Sequence, residues 1–561
     1  MLKFKYDHYY AYDELTAALQ QLQADHAAMA NLISIGESPQ GRQQWLMEIT
    51  DPATGPAADK PAYYLDGNHH AGEVTGAMVA LYTIDYLLSE QADIPAVRTL
   101  LQRYTFYILP RISPDGSEVY LTTPDTLRSV PRMYPEPEIQ PGLVPQDIDG
   151  NGEILLMRVK SPIGEWKAGE TDDRLMLKRL PDEEEGVFYR VFTEGLLEQY
   201  SGGEIEQAPA KWGMDLNRNY PCQWGVEVKQ AGAGNYPLSE PETRHVADFV
   251  LAHPNIGSAS TLHTTGGVIL RPPGIKPEKQ APKLDVSIFK AIGEMATEET
   301  GYPCINIYDE FFSDPTNFSS GAFDDWLYGH LGIPAYTIEL WDLANRAGLK
   351  DIWPRRDKTD KVLGEDFAKI LAWNDEVLQG KGFVNWTKFQ HPQLGEVEIG
   401  GFHTKTVVQN CPPQFLLDEC AKTSRFMLRH ARTLPRLIAE ETKVEKVDQN
   451  SWKVSLLVGN IGYLPTYLTQ EAINLHAAKE VTVEISGVKV IDGTLAKRKI
   501  GHLAGRAGRN GKFENGGFRS GRDEVSRKQI SWLVQGAGGD VVTIVMQGQK
   551  TGKLQIQLTL A

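Results

Sequence analysis

Apolar positions in the first hundred residues follow two rhythms. Leu15, Leu19 and Leu22 recur at helical spacing behind Asp13, which predicts an amphipathic helix over 13–30. LISIG, QWLMEIT, PAYYLDG and YTFYILPRI read as short strands, with a turn at Pro39–Gly41 and a second helix opening near Gly72. Strands alternating with helices predict an α/β domain whose active groups lie at strand ends and on the loops that follow. From Tyr134 to Trp212 the rhythm gives way to prolines, glycines and acidic runs such as Asp182–Glu185, an insertion (134–212) decorating that domain. It returns in IGSASTLHTT, in AYTIEL and in a helix over 361–378; a further helix is expected over 413–432. Beyond Lys443 short strands alternate with Gly, Asn and Asp turns, the pattern of a β-sandwich. The expected organisation is an α/β unit with a mixed twisted sheet flanked by helices (1–385), a mostly helical connection (386–440) and an all-β sandwich-like domain (441–561).

Composition narrows the partners. A chain of 561 residues is too long for one ordinary core. With 41% apolar and 23% charged residues its composition is that of an ordinary soluble protein, and its net charge of -16 disfavours nucleic acid and anionic membranes, so neither is expected. No run of about 18 apolar residues occurs, so no membrane span is expected. The start, MLKFKYDHYYAYDE, has no apolar signal region; the chain as given is expected to be cytoplasmic, or a secreted protein already trimmed. Cys222, Cys304, Cys411 and Cys420 lack C-x-x-C spacing, which argues against a disulfide framework or a Cys-only metal site. The basic stretch 497–512 reads as a solvated loop. The sequence is silent on oligomeric state.

Four clusters could carry chemistry. In Asp66-Gly-Asn-His-His-Ala-Gly-Glu73, a three-residue spacing puts His70 and Glu73 on one face of a first helical turn, where they could supply two bonds to a zinc ion. His69, four residues from Glu73, is a rival, and a polar helix start is the bland alternative. His263 ends a strand-like run before a glycine bend, as a ligand remote in sequence would. Alternation in Ala335-Tyr-Thr-Ile-Glu-Leu340 puts Thr337 and Glu339 on one face, and a carboxylate in so apolar a strand needs a partner or a task such as general base. In Gly213-Met-Asp-Leu-Asn-Arg-Asn-Tyr220, Asn217 and Arg218 could clamp a carboxylate.

Taken in order, GNHHAGE, GMDLNRNY, LHTTGG and YTIELWD resemble the zinc carboxypeptidase A family over roughly residues 5 to 385. The resemblance implies a metallocarboxypeptidase using Zn2+ on peptides with a free C-terminus. It implies His70, Glu73 and His263 as zinc ligands, Glu339 as general base, and Asn217 and Arg218 as the terminal-carboxylate clamp. It implies Arg128, after Ser113-Pro-Asp-Gly116, as oxyanion donor, with Arg132 in reserve. Asp324 falls where some relatives line the side-chain pocket, which would favour Lys or Arg; a carboxylate at a helix N-terminus is the other reading. The family's mobile tyrosine is replaced by Asn317, with Phe318 beside it, unless Tyr308 serves. The alternative activity on the same fold is a zinc amidase acting on peptidoglycan stem peptides or acyl-amino acids. Within the insertion, Asp147, Asp149 and Asn151 resemble the first half of a Ca2+ loop, to be completed by Asp172 or Asp173; the other reading is an Asx-rich turn.

Overall fold

The computed structural model describes residues 2–312, 319–354, 356–508 and 525–561, with short strands Lys512–Glu514 and Gly517–Arg519 between the last two. An eight-stranded mixed sheet forms its centre. The strands run across it in the order Ala30–Glu37, Gln43–Ile49, Thr105–Leu109, Ala62–Gly67, Ile256–Thr264, Ala335–Leu340, Val268–Arg271 and Cys304–Asn306. The middle four are mutually parallel. Their residues are almost wholly buried, as befits strands covered on both faces: Tyr63, Tyr64, Phe106, Tyr107, Leu262 and Ile338 each expose 1% or less. Helices Val74–Glu90 and Pro413–Ala431 pack together and help cover the sheet, with Leu81, Ile84, Phe426 and Met427 in the shared core. The first helix is shorter than its pattern suggested, Tyr12–Asp25, with Ala11 rather than Asp13 at its cap.

The insertion is not loose decoration. Its strands Leu156–Lys160, Tyr189–Thr193, Trp166–Ala168 and Met176–Lys178 join the hairpin Phe383–His391/Gly395–Phe402 in one six-stranded sheet. The segment 386–440, expected to be mostly helical, therefore opens with a hairpin, and only Pro413–Ala431 is a long helix. The hairpin's alternation was weak because many of its positions stay exposed on both faces. Arg158 crosses the seam, bonding Glu398 through Nε at 2.6 Å and lying over the rings of Tyr189 and Trp386.

The C-terminal region forms two antiparallel four-stranded sheets around Trp452, Val454, Leu456, Val483, Ile485, Trp532 and Ile544. It docks on the end of the central sheet where the parallel strands begin. Lys550 donates to the carbonyl of Ile256, the first residue of the His263 strand, at 2.7 Å. Thr469 Oγ1 donates to Gly332 O at 2.7 Å, and Asp285 accepts from the backbone N–H groups of Gln470 and Glu471 at 2.6 and 3.0 Å. Among the described residues no helix is long and apolar enough to cross a membrane. All four cysteines are free.

Candidate active site

The loop after strand Ala62–Gly67 carries His70 and Glu73. Neither sits in a helical turn: Glu73 is the residue before helix Val74–Glu90, and the i,i+3 approach comes from a turn closed by Glu73 N–H on His70 O at 3.2 Å. His263 lies near the end of the neighbouring parallel strand Ile256–Thr264. Strand ends and the loop between them thus bring three side chains together, all buried. His70 Nδ1 and Glu73 Oε1 are 2.8 Å apart, His263 Nδ1 and Glu73 Oε2 are 2.8 Å apart, and the two Nδ1 atoms are 3.1 Å apart.

This donor set fits zinc. Two imidazole nitrogens bound tetrahedrally to one zinc at ~2.1 Å lie ~3.4 Å apart, close to the separation seen here. The electrostatics agree. Burial opposes charge on Glu73, yet His70 and His263 overcome it and hold its carboxyl below the usual range. Burial and Arg128 disfavour a proton on His70, but Glu73 and Asp215 outweigh them and raise it. The pocket is a well for positive charge, which a proton fills where a cation would. His263, by contrast, is pushed down by burial and stays ready as a neutral donor. His69 turns away, to Tyr220 Oη at 2.9 Å and Thr261 Oγ1 at 3.1 Å, and burial keeps it neutral.

Two contributors were missed in the sequence. Asp215 Oδ1 meets His70 Nε2 at 3.1 Å, orienting the ring so that Nδ1 faces the cluster. Its other oxygen accepts from Arg128 Nε at 2.8 Å. Burial works against charge on Asp215, but Arg128 and His70 hold it well below the carboxylate range. The one signal available was its place two residues before Asn217, whose N–H its carboxylate caps at 2.8 Å. Asn410 has no signal at all: from the far connecting segment it accepts from Thr75 N–H at 3.0 Å and donates to Gly72 O at 2.7 Å, pinning both flanks of Glu73.

The remaining expected residues surround this cluster. Glu339 is the register partner of His263 on the adjacent parallel strand, so both side chains emerge on one face. Arg128 Nη1 lies 3.7 Å from Glu73 Oε1, its backbone carbonyl accepts from Ala71 N–H at 2.9 Å, and its side chain remains 42% exposed. Burial disfavours its charge, but Asp215 and Glu73 outweigh that, with Glu339 adding to them. Arg132 is engaged elsewhere, by Glu242 at 2.9 Å and Glu240 at 2.5 Å. Asn217 Nδ2 lies 3.5 Å from His263 Nε2, and its side-chain Oδ1 accepts from Phe323 N–H at 2.8 Å. Arg218 is half-buried and bonds Asn217 O at 2.6 Å. Gly321, at φ +71°, lets its loop lie on this segment, since a Cβ there would fall 2.1 Å from Arg218 O. Asp324 and Asp325 are buried in the first turn of helix Phe323–Leu331; Asp324 accepts from Thr337 Oγ1 at 2.9 Å. Asn317 and Phe318 lie outside the described residues.

The family model described as zinc carboxypeptidase matches residues 15–354. The chain belongs to the zinc carboxypeptidase family. A second family model, a domain of unknown function, matches residues 436–559. Carboxypeptidase B of Astacus astacus is 25% identical over 348 residues, 60% of this chain and 88% of that protein. Carboxypeptidase D of Drosophila melanogaster is 23% identical over 414 residues, 68% of this chain but 23% of that protein, so the chain spans under a quarter of that relative. The crystal structure of carboxypeptidase A from Helicoverpa armigera is 17% identical with a TM-score of 0.40, covering 67% of this chain and 74% of that one. Membership in the family implies Zn2+, and His70, Glu73 and His263 are the possible metal site of this zinc carboxypeptidase chain.

The calcium expectation finds no support. Asp147 accepts from the backbone N–H groups of Gly150, Asn151 and Gly152 at 2.8, 3.2 and 2.9 Å, and Asn151 Nδ2 bonds Asp149, an Asx-rich turn. Glu194, rather than Asp172 or Asp173, approaches Asp147 and Asp149, and it already accepts from Ile148 and Leu155 N–H groups at 2.6 and 2.9 Å. Asp172 is paired with Arg174.

Proposed function

We propose that this chain removes C-terminal residues from peptides in a zinc-dependent hydrolysis, preferring Lys or Arg at the terminus. The observation that carries the reading is the convergence of His70, Glu73 and His263, with Arg128 beside them and Glu339 in register with His263. Zinc, when held by the three ligands, supplies a Lewis acid that polarises the scissile carbonyl and acidifies water. Glu339 takes the proton of the attacking water and passes it to the leaving amine. Arg128, aimed by Asp215, donates N–H bonds to the oxyanion. Asn217 and Arg218 hold the terminal carboxylate, which makes the reaction exopeptidic, because an amidated terminus leaves their donors without a charge to meet. Matched free and C-terminally amidated peptides test this, and also the amidase alternative. The free peptide should be cleaved far faster, and Arg218→Ala should raise its KM by about 10- to 100-fold while altering kcat less. Equal turnover of the two peptides would refute the exopeptidase reading.

Selectivity rests on the carboxyl pair. Burial, first, raises both Asp324 and Asp325, and the neighbouring Asp324 helps push Asp325 up to about 8. A raised carboxyl is neutral below its pKa and charged above it, and a cationic side chain favours the charged form. The ratio of kcat/KM for Arg-terminated over Phe-terminated peptides should therefore rise as the pH climbs through about 8. Asp324→Asn should lower that ratio by about tenfold or more and flatten its slope. A ratio that stays level with pH and survives the substitution would remove Asp324 from the pocket.

A further inference from the structure

Four arginines unused by the catalytic cluster meet at the strand-start end of the central sheet, opposite His263. Arg103 ends helix Pro95–Arg103, just before the strand Thr105–Leu109. Arg432 follows helix Pro413–Ala431, Arg436 precedes strand Leu437–Lys446, and Arg506 opens a short 3-10 turn. With Tyr104 and Gly462 they line a cavity of about 370 Å³ between the catalytic unit and the β-domain. Arg432 and Arg506 also line a second cavity of about 340 Å³. Among the described residues no carboxylate lines either cavity, and none of the four arginines is paired with one. Their neighbours on the same helix behave differently: Arg425 bonds Glu299 at 3.0 Å, and Arg429 bonds Glu298 and Glu299 at 2.8 and 2.9 Å.

In a chain of net charge -16, unpaired cations gathered in one recess are the opposite of what surface averaging produces. Helix C-termini compensate two of them, since a helix's negative end favours Arg103 and Arg432. Arg436 and Arg506 have no such compensation. Their backbones are nevertheless fixed. The buried Asn460 side chain accepts through Oδ1 from Arg436 N–H at 2.9 Å and Gly462 N–H at 3.0 Å, while its Nδ2 donates to Leu464 O at 3.0 Å and Ala504 O at 3.3 Å. Gly462 O in turn accepts from Arg506 N–H at 3.0 Å. The recess is a built corner with its charge left open.

We propose that this recess binds a compact multivalent phosphate anion of pyrophosphate size, which bridges the catalytic unit and the β-domain. Guanidinium forks pair bidentately with phosphate oxygens, and four of them exceed what a single carboxylate can satisfy. Because the recess lies at the opposite end from His263, occupancy strengthens the union of the domains and leaves the chemistry alone. The test is calorimetric titration of the full-length, zinc-loaded protein with inorganic pyrophosphate, alongside thermal unfolding. Sulfate at equal ionic strength serves as the control. One equivalent of pyrophosphate should bind and raise Tm. Arg436→Gln, Arg506→Gln and, from the catalytic side, Arg103→Gln should each weaken binding by about tenfold or more with peptide hydrolysis unchanged. The zinc site is common to all these proteins, so any contact of pyrophosphate with zinc cancels in the comparison. Variants that bind as tightly as the parent, or a parent that responds to sulfate and pyrophosphate alike, would overturn the proposal.

Discussion

Glu339→Gln should keep its zinc and lose about 10²- to 10⁴-fold in kcat, the usual contribution of a positioned general base. The amide is nearly isosteric, so strand Ala335–Leu340 and its pairing with the His263 strand should survive. What disappears is a carboxylate able to accept the water's proton. Metal analysis together with kcat at saturating peptide separates the two effects. A variant impaired by only a few fold would place the base on another residue, and one lacking metal would show that Glu339 is part of the binding set.

His263→Ala should lose metal first and activity as a consequence. It removes one of three protein donors and leaves Glu73 Oε2 without its 2.8 Å partner in a buried site. If apparent zinc binding is worth ~10–16 kcal/mol, losing about a third of it weakens affinity by two to four orders of magnitude, roughly. After dialysis against a weak chelator the parent should retain about one zinc per chain and the variant little, with partial recovery of turnover in excess zinc. Retention of stoichiometric zinc by the variant would mean that the ion sits elsewhere.

Much of this site was legible because strands and turns are local. The apolar run ending at His263 could hardly be anything but a buried strand, and alternation alone put Glu339 and Thr337 on one face. The role of spacing was subtler: His70 and Glu73 do meet at i,i+3, but through a turn before the helix rather than inside it. The supports were not legible. Asp215 lies 145 positions from His70, and Asn410 lies 335 from Thr75, so only the folded chain reveals that they hold His70 and the flanks of Glu73 in place. The insertion sheet hid for the same reason. Its strands are three to five residues long with half-exposed faces, and only Leu156–Lys160 joins them to the hairpin, more than two hundred positions away.

The anchoring of Lys550 on Ile256 has a mechanical consequence. From Ile256 to His263 the strand advances ~3.3 Å per residue, so the cutting end stands ~23 Å ahead of the mooring. Anything fastened to the far side of the all-β module, whether a carrier, a surface or a neighbouring chain, rides behind the start of the central strands. Its bulk therefore lies a strand's length away from the cluster of His70, Glu73 and His263.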